Sequence, residues 1–200
     1  MIFFCIDEKV ILEHIVSYFA RFGSKNCAFE DLQSYVSILN VEKSQALIES
    51  LKQTIQPASE KSAKIKNVYR NVNIRKLERF LGLDTVSDKK QALEMVNELW
   101  NEYQEALPLG EGLEKTEMQY GDEFVILASH ILLDLYNQDH QASFLIQAIC
   151  LLETALIKSI YNFQIKLVLV RMYAMIGVYK RPFEIYRTME IKQIQFDTML

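Results

Sequence analysis

Apolar residues recur at three- and four-residue steps along most of the chain, which is the spacing of one helix face. The pattern is clearest from Tyr120 to Glu190. Leu145, Ala148, Ile149, Leu152, Ala155 and Leu156 line one helix. Ile165, Leu169, Met172, Tyr173 and Ile176 line the next, and Gly177 stands where a helix C-terminus prefers a residue that tolerates positive φ. Lys180-Arg181-Pro182 opens another helix, whose apolar face continues through Phe183, Tyr186 and Met189. Upstream, Asp122 stands as the cap of a helix through Phe124, Leu127, Ala128, Ile131 and Leu135.

These four helices pair into two hairpins. Ala148, Leu152 and Ala155 match Pro182, Tyr186 and Met189 at an offset of 34 residues, the period of the tetratricopeptide repeat. Leu132 and Tyr136 match Leu169 and Tyr173 at an offset of 37. A longer loop at Asn137 to Gln141 would absorb the difference. The expected fold is all-α, a right-handed α-solenoid of tetratricopeptide-like helical hairpins. An ordinary helical bundle is the alternative.

The first half follows the same periodicity. Asp7 is placed to cap a helix that buries Ile11, Ile15, Val16, Phe19 and Phe22 and ends at Gly23. Leu32, Tyr35, Val36 and Leu39 face inward from a second helix. Asn40 caps a third, lined by Ala46, Leu47, Leu51 and Ile55, which stops before Pro57. Between residues 59 and 80 the apolar phase shifts, from Ile65, Val68, Tyr69 and Val72 to Ile74, Leu77 and Leu81. That shift predicts a kink or break near Asn71 to Asn73. Gly82 ends this element, and Ser87 caps a helix of Ala92, Leu93, Val96, Leu99, Trp100 and Tyr103. The expected organisation is helical hairpins over 1–105 with a basic helix at about 59–80, a loop over 106–121, and two hairpins with the start of a further helix over 122–200. All of it reads as one continuous solenoid segment.

Composition agrees with a helical core. The chain has 200 residues, is 50% hydrophobic, and holds only six Gly and three Pro. Few turn residues argue against an all-β fold. Cys5, Cys27 and Cys150 are odd in number, far apart and placed among apolar neighbours, as reduced core cysteines are. A cytoplasmic location is expected on that ground. No apolar run approaches the ~20 residues that cross a bilayer. The apolar start at Met1 to Ile6, and Asp197 with little chain after it, predict a piece of a longer solenoid.

Charge is uneven. Net charge is −4, yet residues 61–79 hold seven Lys or Arg and one acid, Glu78. That stretch carries +6 and leaves −10 for the rest. It is either a solvated helix surface or a site for an anionic partner, with Lys61, Lys64, Arg75 and Arg79 as the candidates.

No catalytic constellation assembles. His130 and Asp134 lie one helical turn apart with no third ligand at a matching spacing, and His14 and His140 are dispersed. Asp7/Glu8 and Asp122/Glu123 are adjacent pairs that fit helix starts. No catalytic, cofactor-binding or metal-binding residue is assigned, and no partner-contacting residue can be singled out.

Several segments carry a resemblance. Gln119-Tyr120-Gly121-Asp122-Glu123-Phe124 is followed by Leu127-Ala128-Ser129-His130-Ile131-Leu132-Leu133-Asp134-Leu135. Phe163 to Tyr173, Gln193 to Thr198 and Tyr18 to Gly23 complete the set. Together they resemble the auxiliary, non-catalytic subunit of the N-terminal acetyltransferase B (NatB) complex. The resemblance implies an α-solenoid that wraps a small catalytic subunit. That subunit transfers acetyl from acetyl-CoA to N-termini beginning Met-Asp, Met-Glu, Met-Asn or Met-Gln. It also implies a link to ribosomes, no cofactor and no small-molecule substrate of the chain's own. The catalytic acetyltransferases cradle acetyl-CoA with an Arg/Gln-x-x-Gly-x-Gly/Ala turn after a strand. Here Gly110-Glu111-Gly112 follows Pro108-Leu109 with no strand before it, and Glu111 would repel phosphate. The alternative function is a helical-repeat RNA- or ribosome-binding module that uses residues 61–79.

Overall fold

The computed structural model describes residues 8–84 and 88–189, which form nine α-helices and no strand. The all-α expectation holds for them. Asp7, Ser87, Asp197, Cys5 and the Gln193 to Thr198 motif lie outside the described residues. The chain divides into two compact units, Met1–Asp88 and Lys89–Leu200.

The first unit holds α1 (Glu8–Phe22), α2 (Ala28–Val36), α3 (Val41–Lys52) and α4 (Lys61–Phe80). Its core gathers Ile15, Phe19, Leu32, Leu51, Ile74 and Leu77. Asn40 caps α3 as expected, its Oδ1 accepting from Lys43 N at 2.9 Å. Gly82 takes φ +69°, and Leu83 N donates to Glu78 O at 2.9 Å, which closes α4 in a left-handed turn.

Three expectations fail in this unit. First, α4 runs unbroken through Asn71 to Asn73. The apolar phase shifts because the covering changes along the helix. In its second half α4 buries Val72, Asn73, Ile74 and Leu77, against α2 and α3. Asn73 is tolerated in that interior because its Nδ2 donates to Gly23 O and Lys25 O, each at 2.9 Å. Second, the α3 face centres on Ser44, Leu47, Ile48 and Leu51, so Ala46 is exposed. Third, Phe22 and Tyr35 lie on outward faces.

The second unit holds α5 (Lys89–Ala106), a 3-10 turn at Leu107–Gly110, α6 (Asp122–Asp139), α7 (Ala142–Lys158), α8 (Phe163–Met175) and α9 (Lys180–Arg187). Each α-helix packs on the next. Residues 124–129 are all buried, because α6 is covered by both α5 and α7. Leu152 and Leu169 are fully buried where the sequence places the seam. Gly177 takes φ +74°, with Val178 N donating to Tyr173 O at 2.9 Å, as its position after α8 predicts.

Here too the structure corrects the reading. The extra residues at Asn137 to Asp139 extend α6 rather than its loop, and His140 turns the chain at φ 53°. Asp122 does not cap α6: Gly121 is the N-cap, and Asp122 is buried inside the first turn. Pro182 and Ile185 are the buried side chains of α9, while Phe183 and Tyr186 face outward. Cys27 and Cys150 are free and exposed, not core residues. Cys150 stands between the buried Ile149 and Leu152 in sequence but on another face of α7.

Candidate protein-docking surface

The last three helices are held by polar contacts that fix their ends. Asn162 caps α8, its Oδ1 accepting from Gln164 N at 3.1 Å and Ile165 N at 3.2 Å. Its Nδ2 donates to Asp122 Oδ2 at 2.8 Å. Gln119 N donates to Ser159 Oγ at 3.0 Å. The segment before α6 is thus tied to the α7–α8 junction. Burial pushes the Asp122 carboxyl above the usual carboxylate range, against hydrogen bonds from Ser159 and Asn162 that favour its charge. Burial, with the nearby Asp122 carboxylate, also pushes the Tyr103 phenol well up.

A second tie joins α7, α8 and α9. Arg181 holds Glu153 bidentately, Nε to Oε1 at 2.8 Å and Nη2 to Oε2 at 2.7 Å. Tyr173 OH donates to Glu153 Oε1 at 2.9 Å. The Arg181 hydrogen bond holds the Glu153 carboxyl below its ordinary range. Burial, then Glu153, push the Tyr173 phenol up to about 12.

On this braced frame sits the larger set of outward apolar side chains. Ile157 is 72% exposed, Tyr179 74% and Phe183 62%. Ile160, Tyr161, Phe163 and Leu167 are also exposed. Ile157 and Ile160 border a groove of about 290 Å³ floored by Leu156 and Ile185. Its charged rim includes Glu153, Glu184 and Arg181, and Lys166 lines it with Nζ 3.2 Å from Thr188 O. Apolar side chains ringed by charge are what a protein partner buries. Sequence reading assigned Phe183 and Tyr186 to the core, because an aromatic at helical spacing looks the same whether it faces a neighbour helix or a partner.

The basic helix splits into two halves. Arg75 and Arg79, both candidates for an anionic partner, are engaged locally. Arg75 Nη1 lies 3.3 Å from Glu78 Oε2, and Arg79 Nη1 lies 2.8 Å from Asp84 Oδ2. Glu78 also takes Lys52 at 2.9 Å, and Lys76 pairs with Glu30 at 3.3 Å. Lys61 and Lys64, the other two candidates, are exposed in the first half.

The remaining candidates are placed as follows. Gly110 is buried in the 3-10 turn, where a Cβ would lie 1.8 Å from Gln119 Oε1. Gly112 turns the chain at φ +94°. The Gly-x-Gly is therefore a turn, packed at Gly110 and open at Gly112. His130 and Asp134 share α6. Among the described residues, no group of three or more His, Cys, Asp or Glu is placed to hold a metal.

Residues 5–200 match the family described as the N-acetyltransferase B complex (NatB) non catalytic subunit. The chain belongs to this family. It is 35% identical over 204 aligned positions to human "N-alpha-acetyltransferase 25, NatB auxiliary subunit", covering 98% of this chain and 21% of that protein. It is 31% identical to the "N-terminal acetyltransferase B complex subunit arm1" of Schizosaccharomyces pombe, covering 92% of this chain and 23% of that protein. An Arabidopsis thaliana relative, the "N-terminal acetyltransferase B complex auxiliary subunit NAA25", is 25% identical over 96% of this chain and 18% of its own. The chain thus spans about a fifth of the length of these relatives. Membership in a non-catalytic NatB family makes the chain an auxiliary component and not itself the acetyltransferase. No helix among the described residues is long and apolar enough to cross a membrane.

Proposed function

We propose that this chain is part of a tetratricopeptide-like scaffold that holds the NatB catalytic subunit in the cytoplasm. The scaffold supports acetylation of nascent chains beginning Met-Asp, Met-Glu, Met-Asn or Met-Gln at the ribosome. The observation that carries the reading is the set of exposed apolar side chains on α7, α8 and α9, Ile157, Leu167 and Phe183 among them, on helices tied by Glu153–Arg181 and Asp122–Asn162. Helices tied together in this way bind a partner with a smaller backbone-ordering cost than a loose segment would pay. Helical hairpins that bury one face on a neighbour and leave another open suit such a role. The test is co-expression with the NatB catalytic subunit, followed by acetylation of a Met-Asp peptide. The reading expects a stable pair and faster acetylation than by the catalytic chain alone. Failure to co-purify, with no change in rate, would contradict it.

The second reading is ribosome or RNA contact through residues 61–79, favoured by the exposure of Lys61 and Lys64. The ion pairs of Arg75 and Arg79 weigh against the full stretch acting as one basic face. Reversing Lys61 and Lys64 to Glu in the assembled complex and measuring ribosome co-sedimentation separates the two roles of this helix.

A further inference from the structure

We infer that the hollow between the α3–α4 connection and the first half of α4 binds a single phosphate group. The hollow measures about 420 Å³, and Gln56, Ser59, Glu60, Lys66, Asn67 and Arg70 are in its lining.

Its wall is fixed by two contacts. Asn67 Nδ2 donates to Gln56 O at 2.7 Å, and Arg70 Nη1 donates to Asn67 Oδ1 at 3.2 Å. The guanidinium is therefore held while its Nε–H, which is buried, has no acceptor among the described residues. A buried charged donor without an acceptor is costly, and native proteins seldom leave one. Lys66 is exposed and makes no ion pair among the described residues, and the Ser59 hydroxyl makes no hydrogen bond among them. The Arg70 Nε–H, the Lys66 ammonium and the Ser59 hydroxyl are thus donors with capacity to spare. Glu60 is the one carboxylate in the lining, and the two cations outweigh it.

The ligand class follows from the donor set. A guanidinium, an ammonium and a hydroxyl are together in the lining. That suits the several oxygens of a tetrahedral phosphate better than the two of a planar carboxylate. A nucleic-acid strand is the weaker fit. It requires several phosphates neutralised along a stripe, and Arg75, Lys76 and Arg79 further down α4 are committed to Glu78, Glu30 and Asp84. Of the cations on the first half of α4, only Lys66 and Arg70 line this hollow, which suits one phosphate, either the free ion or a monoester on a small molecule or peptide.

The test titrates the whole chain with inorganic phosphate and, separately, with O-phosphoserine at constant ionic strength, following backbone amide NMR shifts. Saturable shifts confined to residues 56–70 are expected. Lys66→Gln, at an exposed position, should weaken them about tenfold, as loss of one charge-assisted contact does. Arg70→Lys keeps the charge, removes the planar donor, and should weaken them similarly with an unchanged circular dichroism spectrum. Tighter binding of O-phosphoserine would identify the monoester as the source, and tighter binding of inorganic phosphate the free ion. Scattered or non-saturating shifts, or equal shifts in Lys66→Gln, would overturn the site. So would tighter, steeply salt-dependent binding of a uridine oligonucleotide that Lys64→Gln and Lys66→Gln weaken alike.

Discussion

Asn162 Nδ2 donates to Asp122 Oδ2 across 2.8 Å, and the two residues are 40 positions apart in the chain. The same Asn162 caps α8 through its Oδ1, so one side chain joins the start of α6 to the start of α8. Asp122→Ala removes the acceptor and leaves a buried amide donor unpaired. It should destabilise the chain by about 1–3 kcal/mol, read as a lower denaturant midpoint with unchanged slope.

Asp122 also sets a pH dependence. Its folded pKa is raised above the ordinary carboxylate value, chiefly by burial. A carboxyl raised on folding favours the folded state below its unfolded pKa and loses that contribution as pH rises through the folded value. Asp122→Asn keeps the shape and an acceptor oxygen but cannot ionise. Its stability relative to wild type should therefore be least favourable below the unfolded pKa of Asp122 and improve towards neutrality. Urea denaturation across that range checks the sign, and a difference that runs the other way would contradict the burial account.

Glu153 behaves oppositely. Its folded pKa is lowered, first by the Arg181 hydrogen bond. Its contribution is present above the unfolded pKa and fades as pH falls through the folded one. Arg181 is partly exposed, so Glu153→Gln should cost only about 0.2–1 kcal/mol at neutral pH and less at high salt. Thermal melts of both proteins at two salt concentrations measure this.

Leu152 and Leu169 are fully buried in the helix seam. Leu152→Ala or Leu169→Ala should each cost about 2–5 kcal/mol, by lost transfer energy and a residual cavity. Equilibrium denaturation gives the value, and near-wild-type stability for both would move the seam elsewhere.

Two glycines differ in what stands beside them. A Cβ at Gly23 would lie 2.5 Å from the Phe19 carbonyl oxygen, which is backbone. A Cβ at Gly110 would meet the end of the Gln119 side chain, which can swing away. Gly23→Ala should therefore lower the melting temperature more than Gly110→Ala, by overpacking worth about 1–3 kcal/mol. Gly23 O also accepts from Asn73, so displacing this turn disturbs the one buried amide of α4.

Much of the helix layout was legible because periodicity and end signals are local. Asn40 and Gly177 announce their helix ends by their own chemistry, and Leu152 and Leu169 fall on the seam by spacing alone. Asn73 was not legible. A polar residue at a core position reads as a break unless its partners, Gly23 and Lys25, some 50 residues away in sequence, are known. Asp122 looked like a cap for the same reason: its partner Asn162 is distant in sequence. Phe183 and Tyr186 show the remaining limit. Helical spacing places apolar residues on a face, but only packing tells whether that face is covered.

The exposed apolar side chains of the second unit give the most direct test of the scaffold reading. Ile157→Asp and Phe183→Asp charge two exposed positions of the second unit, so the fold should survive with an unchanged circular dichroism spectrum. The measurement is capture of the NatB catalytic subunit by the co-expressed chain, quantified against wild type. The account predicts capture reduced at least about tenfold in the double variant, since each buried apolar anchor contributes about 1–3 kcal/mol. Capture equal to wild type by a folded double variant would contradict it.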